Sequence, residues 1–341
     1  MKLNLSQIKT ITTGAVKITE EADGFHFHRF TEEQEELFRA RRDDFYQKTF
    51  CTAGVQLRFR TDSRSLSLKA EFFHEAARQY FAMDIFVDGK YLDSVSNFEN
   101  VELPVNYTGM ELPAGEYEKN YVLQAGEKEI RIYMPWSVRT VIRELTLDDG
   151  ASVIPVRPKY KLLCFGDSIT HGYDLLHPSC RHAAQLADFL NAEEFNKAIG
   201  GDKFFPELAK TREDFLPDYI VVAFGTNDWD CCPREFTENC CRSFYKNISQ
   251  TYPDAKIFAI TPIWRADMDQ QREFGAFSDV EKMIRSAVVD LENVTVIRGF
   301  DFVPHDVALY ADLRLHPNDA GAAYYYKNLS SRIGEVLQMA E

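Results

Sequence analysis

The hydrophobic pattern changes period once, near residue 150, and that change restricts the chain to two architectures joined end to end. Upstream, Val55, Leu57 and Phe59 alternate with polar neighbours. Leu66, Leu68, Ala70 and Phe72 do the same, as do Met83, Ile85 and Val87, and Ile130, Ile132 and Met134. A period of two is that of a strand with one buried face. Asp88-Gly89 supplies a hairpin turn, because both residues tolerate positive φ. Short alternating segments separated by turn residues predict a β-sandwich of jelly-roll type. The exception is Thr31 to Asp44, which reads as a helix: Thr31 is a natural cap, and Glu32 and Glu33 follow where the helix dipole favours acid.

Downstream, apolar strands at 160–165, 219–224, 256–260 and 294–297 lie between longer helical patterns, the sequence form of βαβ units and a parallel sheet. The last helix shows Ala322, Tyr325, Leu329, Ile333 and Val336 on one face. Between the two regimes, 149–158 holds a glycine and two prolines. The expected division is therefore a sandwich over 1–152 and an α/β domain over 153–341, which suits 341 residues at roughly 150 per domain.

Composition removes several functions. A net charge of −14 lacks the basic footprint that nucleic acid requires and that anionic lipid favours. No apolar run approaches the ~20 residues that span a bilayer. Met1 to Glu20 shows no apolar signal-peptide core. Seven cysteines, an odd number with two vicinal pairs, make a poor disulfide framework. Together these predict a cytoplasmic protein that binds neither nucleic acid nor membrane. Cys231, Cys232, Cys240 and Cys241 are spaced CC-x7-CC rather than as CxxC knuckles, so buried thiols and no metal are expected.

Four segments carry chemistry. The strand at 160–165 runs straight into Gly166-Asp167-Ser168, and ligands of open parallel sheets bind at the carboxyl ends of strands. Taken alone, Ser168 reads equally well as a helix cap. Asn196-Lys-Ala-Ile-Gly200-Gly201-Asp202 places two glycines at another strand end, where backbone N–H groups can approach a ligand closely. Gly225-Thr226-Asn227-Asp228 follows a third strand, and the Asn227 amide can donate to a developing oxyanion. Leu315-His316-Pro317-Asn318-Asp319 precedes the last helix, with Asn318 and Asp319 as expected caps.

In this order the four segments resemble the four blocks of the SGNH (GDSL-like) hydrolase superfamily, from residue 160 to the C-terminal end. The resemblance implies a flavodoxin-like three-layer α/β/α domain acting as a serine esterase without cofactor. Position by position it makes Ser168 the nucleophile and His316 the base. The Ser168 N–H, the Gly201 N–H and the Asn227 side chain form the oxyanion hole, Gly201 being chosen because it stands five after Asn196. The family's acid usually lies three residues before the histidine. Here the spacing is Asp312-Leu-Arg-Leu-His316, one residue longer, and Asp312 is the candidate to orient His316, a backbone carbonyl being the alternative. The N-terminal region, from its helix into Ala53-Gly54-Val55-Gln56-Leu57-Arg58-Phe59, is similar to the jelly roll that precedes the catalytic domain in family 2 carbohydrate esterases.

That order of domains implies removal of O-acetyl groups from acetylated carbohydrates of hemicellulose type. Trp229, Trp264 and Arg265 follow strand ends and are candidates for stacking on, and bonding to, a sugar, with interdomain packing as the alternative. Among the remaining histidines, His305, beside Asp306, lies nearest the catalytic loop in sequence. A lipid or thioester acylhydrolase would use the same catalytic set, and a non-catalytic sugar-binding protein would not need it.

Overall fold

The computed structural model describes residues 1–338. Two antiparallel sheets form the N-terminal sandwich. One runs Thr12–Thr13, Gln56–Thr61, Lys128–Tyr133, Ala82–Val87, Lys90–Ser96, and the other Lys17–Glu21, Gly24–His28, Val138–Leu147, Ser65–His74, Gly115–Val122. The period-two residues face inward: Leu57, Phe59, Met83, Ile85, Ile130 and Ile132 have no exposed surface, and they share one core with Leu66, Leu68 and Phe72. Asp88 and Gly89 turn the hairpin with φ of 50° and 72°. Pairing with this sandwich runs past 152, since Ile154–Pro155 adds to Gln56–Thr61.

The C-terminal sheet is parallel, in the order Ala192–Asn196, Tyr160–Gly166, Tyr219–Ala223, Lys256–Ile260, Val294–Ile297. The second strand in sequence lies outside the first, so the order reverses there. That switch point opens a crevice at the carboxyl ends of the first three strands, which are the strands that lead into Ser168, Gly201 and Asn227.

The predicted N-terminal helix is two helices, Glu32–Arg41 and Asp43–Thr49, broken by an extended Arg42 at φ −162°. Thr31 caps the first in a reciprocal box with Gln34. Neither helix belongs to the sandwich core. Phe30, Phe38 and Phe45 pack instead with Phe195, Phe204 and Phe205 of the α/β domain. Polar bonds reinforce this: the buried Arg29 guanidinium donates to the Asn196 carbonyl at 2.8 Å, and Arg41 pairs with Asp202 at 2.7 Å. The segment from 29 to 49 is thus a piece of the α/β half delivered by the N-terminal half.

A second junction is made around Glu194. Its carboxylate takes both terminal nitrogens of Arg181, at 2.6 and 2.8 Å, with the two side chains 0% and 1% exposed. Asn196 Nδ2 also donates to it at 2.9 Å. Gly54 of the sandwich lies against this pair at φ +88°, and a Cβ there would stand 2.9 Å from the Asn196 Cβ. Glu194→Leu should therefore destabilise the protein by about 3–5 kcal/mol, because it strands a buried guanidinium. Denaturant unfolding that shows a smaller loss for the Arg181→Leu/Glu194→Leu double variant checks that the cost lies in the unpaired charge.

Candidate functional site

Ser168 is the first residue of a one-turn helix, Ser168–His171, and Asp167 rather than Ser168 is its cap, accepting from the Ile169 N–H at 3.0 Å. The serine side chain is thereby free for other bonds. Its Oγ lies 2.7 Å from His316 Nε2. Burial pushes the Asp167 carboxyl up to about 7, so the cap beneath the serine carries less charge than an ordinary aspartate.

The other ring nitrogen of His316 meets two carboxylates. Asp174 Oδ2 stands 2.7 Å from Nδ1 and Asp312 Oδ2 stands 3.1 Å away. Neither contact has the geometry of a good hydrogen bond from Nδ1, so both act on the ring as close ion pairs. The expectation of Asp312 as the sole orienting acid is therefore corrected: a second acid lies closer. The longer Asp312–His316 spacing is absorbed by Leu313, held at φ +56°. Asp312 Oδ1 then accepts from the backbone N–H groups of Arg314, Leu315 and His316, at 2.9, 2.7 and 3.0 Å. One oxygen of Asp312 builds the loop and the other faces the imidazole.

Asp174 had no sequence signal. It has no exposed surface, and its partners come from the sandwich half. Arg78 donates from Nε and a terminal nitrogen to both its oxygens, at 2.6 and 3.0 Å. Tyr80 donates at 3.0 Å, and Tyr107, on the long connection after Lys90–Ser96, donates to its backbone carbonyl at 2.7 Å. His316 and Arg78 hold the Asp174 carboxyl below the usual range despite burial. Conversely, burial opposes the imidazolium, but Asp174 and then Asp312 outweigh it and raise His316 to about 9.

The glycine and asparagine segments flank the serine on the adjacent strand ends. Gly201 has φ +86°. Asn227, half-buried, donates from Nδ2 to the Asp202 carbonyl at 3.0 Å, which ties the two loops together. Gly200 donates its N–H to His171 Nδ1 at 3.2 Å, so the ring proton sits on Nε2 and is donated to the Trp136 carbonyl at 2.9 Å. Burial, with the Arg29 and Lys48 cations, keeps His171 neutral, far below its ordinary pKa.

Two of the three candidates for sugar contact are elsewhere. Trp229 has no exposed surface: its Nε1 donates to the Gly275 carbonyl and its ring packs on Phe277. Arg265 is equally buried, bonded to both oxygens of Asp267 and to Thr226. Both are corrected to core residues, because a sugar cannot reach a side chain without surface. Trp264 is half-buried and stacks on His305 at 5.2 Å. Asp306 caps the short turn Val307–Leu309, and His305 meets Asp301 at 3.4 Å instead. Asn318 does cap the last helix, accepting from Gly321 at 3.0 Å, whereas Asp319 reaches out to the Leu176 N–H at 3.0 Å. Asp174, Asp312 and His316 Nδ1 are also close enough to ligate a common ion, but both Asp174 oxygens are already bonded by Arg78.

Residues 164–324 match the family model of the GDSL-like lipase/acylhydrolase family. The C-terminal domain is a GDSL-like SGNH hydrolase. No curated protein sequence matches the chain. Among solved structures, a salicylyl-acyltransferase from a tetracycline biosynthetic pathway is 19% identical, with a TM-score of 0.78 over 96% of this chain and 94% of the other. An acetyl xylan esterase from the rumen bacterium Butyrivibrio proteoclasticus is 16% identical, with a TM-score of 0.65 over 100% and 99%. A family two carbohydrate esterase from Clostridium thermocellum, in complex with cellohexaose, is 18% identical, with a TM-score of 0.64 over 84% and 94%. Likeness at these identities establishes the fold alone, an N-terminal sandwich followed by an α/β domain; the ester hydrolase assignment rests on the family match over residues 164–324.

The doubly held His316 has a consequence for pH. An imidazole must be neutral to take a proton from Ser168, so kcat/KM is expected to climb until about pH 9 rather than level off above 6.5. The same ion pair contributes to stability in full below the unfolded histidine value near 6.5 and is lost as pH rises through about 9. Asp174→Asn and Asp312→Asn should each move the kinetic limb to lower pH with about a tenfold loss of kcat, and the double variant should approach the ~10⁴ loss of a triad without its acid. A pH–rate series on the three variants checks this. A limb unmoved in both single variants would rule out the shared hold.

Proposed function

We propose that the protein is a serine acylhydrolase that removes O-acetyl groups from a carbohydrate through an acyl-serine intermediate. The observation that carries the chemistry is the relay Ser168 Oγ, His316 Nε2, His316 Nδ1 and the Asp174–Asp312 pair, at 2.7, 2.7 and 3.1 Å. Ser168 attacks the ester carbonyl as its proton passes to His316 Nε2. The oxyanion is met by the Ser168 and Gly201 N–H groups and the Asn227 amide, donors of a kind each worth roughly 2.7–4 kcal/mol. The two carboxylates stabilise the imidazolium until it gives its proton to the leaving alcohol. Water, deprotonated by the same histidine, then cleaves the acyl-serine.

The carbohydrate assignment is supported by the architecture shared with the acetyl xylan esterase and the cellohexaose-bound esterase. With Trp229 and Arg265 in the core, Trp264 is the remaining aromatic candidate for a sugar face. A cytoplasmic setting, suggested by the vicinal cysteines, would supply imported oligosaccharides rather than intact polymer. A second reading, acyl transfer to a hydroxyl acceptor, draws on the salicylyl-acyltransferase, which matches nearly the whole of both chains. The two share the acyl-serine and differ in what discharges it.

Acetate release from a panel of acetylated oligosaccharides tests the reading. Wild type should release acetate, and Ser168→Ala should lose nearly all activity while melting normally. Retention of more than about a tenth of kcat excludes covalent serine catalysis. Nitrophenyl acetate should turn over at least ten times faster than the octanoate, and the reverse order favours a lipid acylhydrolase. Partition of the acyl group to an added alcohol, ahead of water at millimolar alcohol, favours the transferase.

A further inference from the structure

Gly200 and Gly201 are the middle residues of a turn closed by the Asp202 N–H on the Ile199 carbonyl at 3.0 Å. The φ of +86° at Gly201 is that of the third position of a type II turn. Types I and II differ chiefly by a flip of the middle peptide, and a glycine pair opposes neither. In a trans peptide, the Gly200 C=O and the Gly201 N–H point opposite ways. The facing of this one peptide therefore decides whether the crevice receives a hydrogen-bond donor or a carbonyl oxygen. Among the described residues nothing accepts from the Gly201 N–H.

The far side of the peptide is held from the N-terminal half. Lys48, 8% exposed on the Asp43–Thr49 helix, donates from Nζ to the Gly200 carbonyl at 3.0 Å. Asp44 fixes the same ammonium at 3.0 Å, and the Phe45 ring stands 3.5 Å from where a Gly201 Cβ would be. We propose that Lys48 is a positioning residue that holds the Gly200–Gly201 peptide with its N–H toward the Ser168 crevice. The proposal rests on the acyl-serine reading above. The ammonium, the peptide and a bound oxyanion then form one chain of aligned dipoles, each polarising the next, so the cation strengthens the Gly201 donor as well as orienting it. Without the cation, a flipped peptide would put an oxygen where negative charge develops.

Lys48→Met keeps most of the apolar stem and removes the donor. On a nitrophenyl acetate, kcat should fall 30- to 100-fold with KM within twofold, because the hole acts in the transition state. Affinity for a phenylboronic acid, which forms a tetrahedral adduct on serine, should fall by the same factor as kcat/KM. The pH limb set by His316 should not move. Lys48→Gln, with an amide donor and no charge, should fall between the two and carries the same test if Lys48→Met fails to melt cooperatively. A folded variant within threefold of wild-type kcat, a loss that appears in KM, or a shifted limb would overturn the proposal. The comparison uses only turnover that Ser168→Ala abolishes. If Ser168→Ala abolishes none, the acyl-serine reading itself has failed, an outcome no Lys48 variant can produce.

Discussion

A carboxylate without exposed surface has to be paired, and the pairing of Asp174 organises this molecule. Arg78 and Tyr80 satisfy it from the sandwich, and His316 from the last loop of the hydrolase domain. The Coulombic gain offsets desolvation only when geometry is good and spare lone pairs are filled, as the bidentate arginine and the phenol achieve here. His316 is thereby oriented across a domain boundary. Tyr107 on the Asp174 carbonyl and the His171 bridge from Trp136 to Gly200 repeat the arrangement on either side of it. The sandwich is thus a wall of the candidate site.

The fold was legible because its signals are local and repeated. Leu57 and Phe59, or Ile130 and Ile132, announce one buried face by alternation alone, and the strand preceding Gly166 announces itself by a continuous apolar run. Where the reading slipped, tertiary context had overridden a local pattern. The helix through Arg42 is broken so that Arg41 can reach Asp202 while Lys48 reaches Gly200, a demand set by residues more than 150 positions away. No window of sequence contains that demand.

The site divides the same way. Ser168, Gly201, Asn227 and His316 are legible as candidates because each sits in a short motif at a strand or helix end. Asp174 was not, since an aspartate six residues after the serine, in a Gly172-Tyr173-Asp174 turn, has no distinguishing neighbour; only the folded chain shows its φ of 69° and its burial. Trp229 and Arg265 misled for the converse reason. Both follow strand ends, but the Trp229 ring lies under the Arg265 guanidinium at 4.8 Å in the domain core, where an indole and a cation satisfy each other.

The placement of Phe30, Phe38 and Phe45 among the aromatics of the hydrolase domain bears on how the chain is made. On the ribosome these residues emerge early, and their partners at Phe195, Phe204 and Phe205 follow 150 residues or more later. At ~5–20 residues per second the nascent helices wait on the order of ten seconds or more with their apolar face uncovered. The sandwich, whose own strands are complete by Pro155, can close in the meantime and keep them tethered. A gene trimmed at residue 153 would spare the waiting but leave the hydrolase sheet with an open aromatic socket.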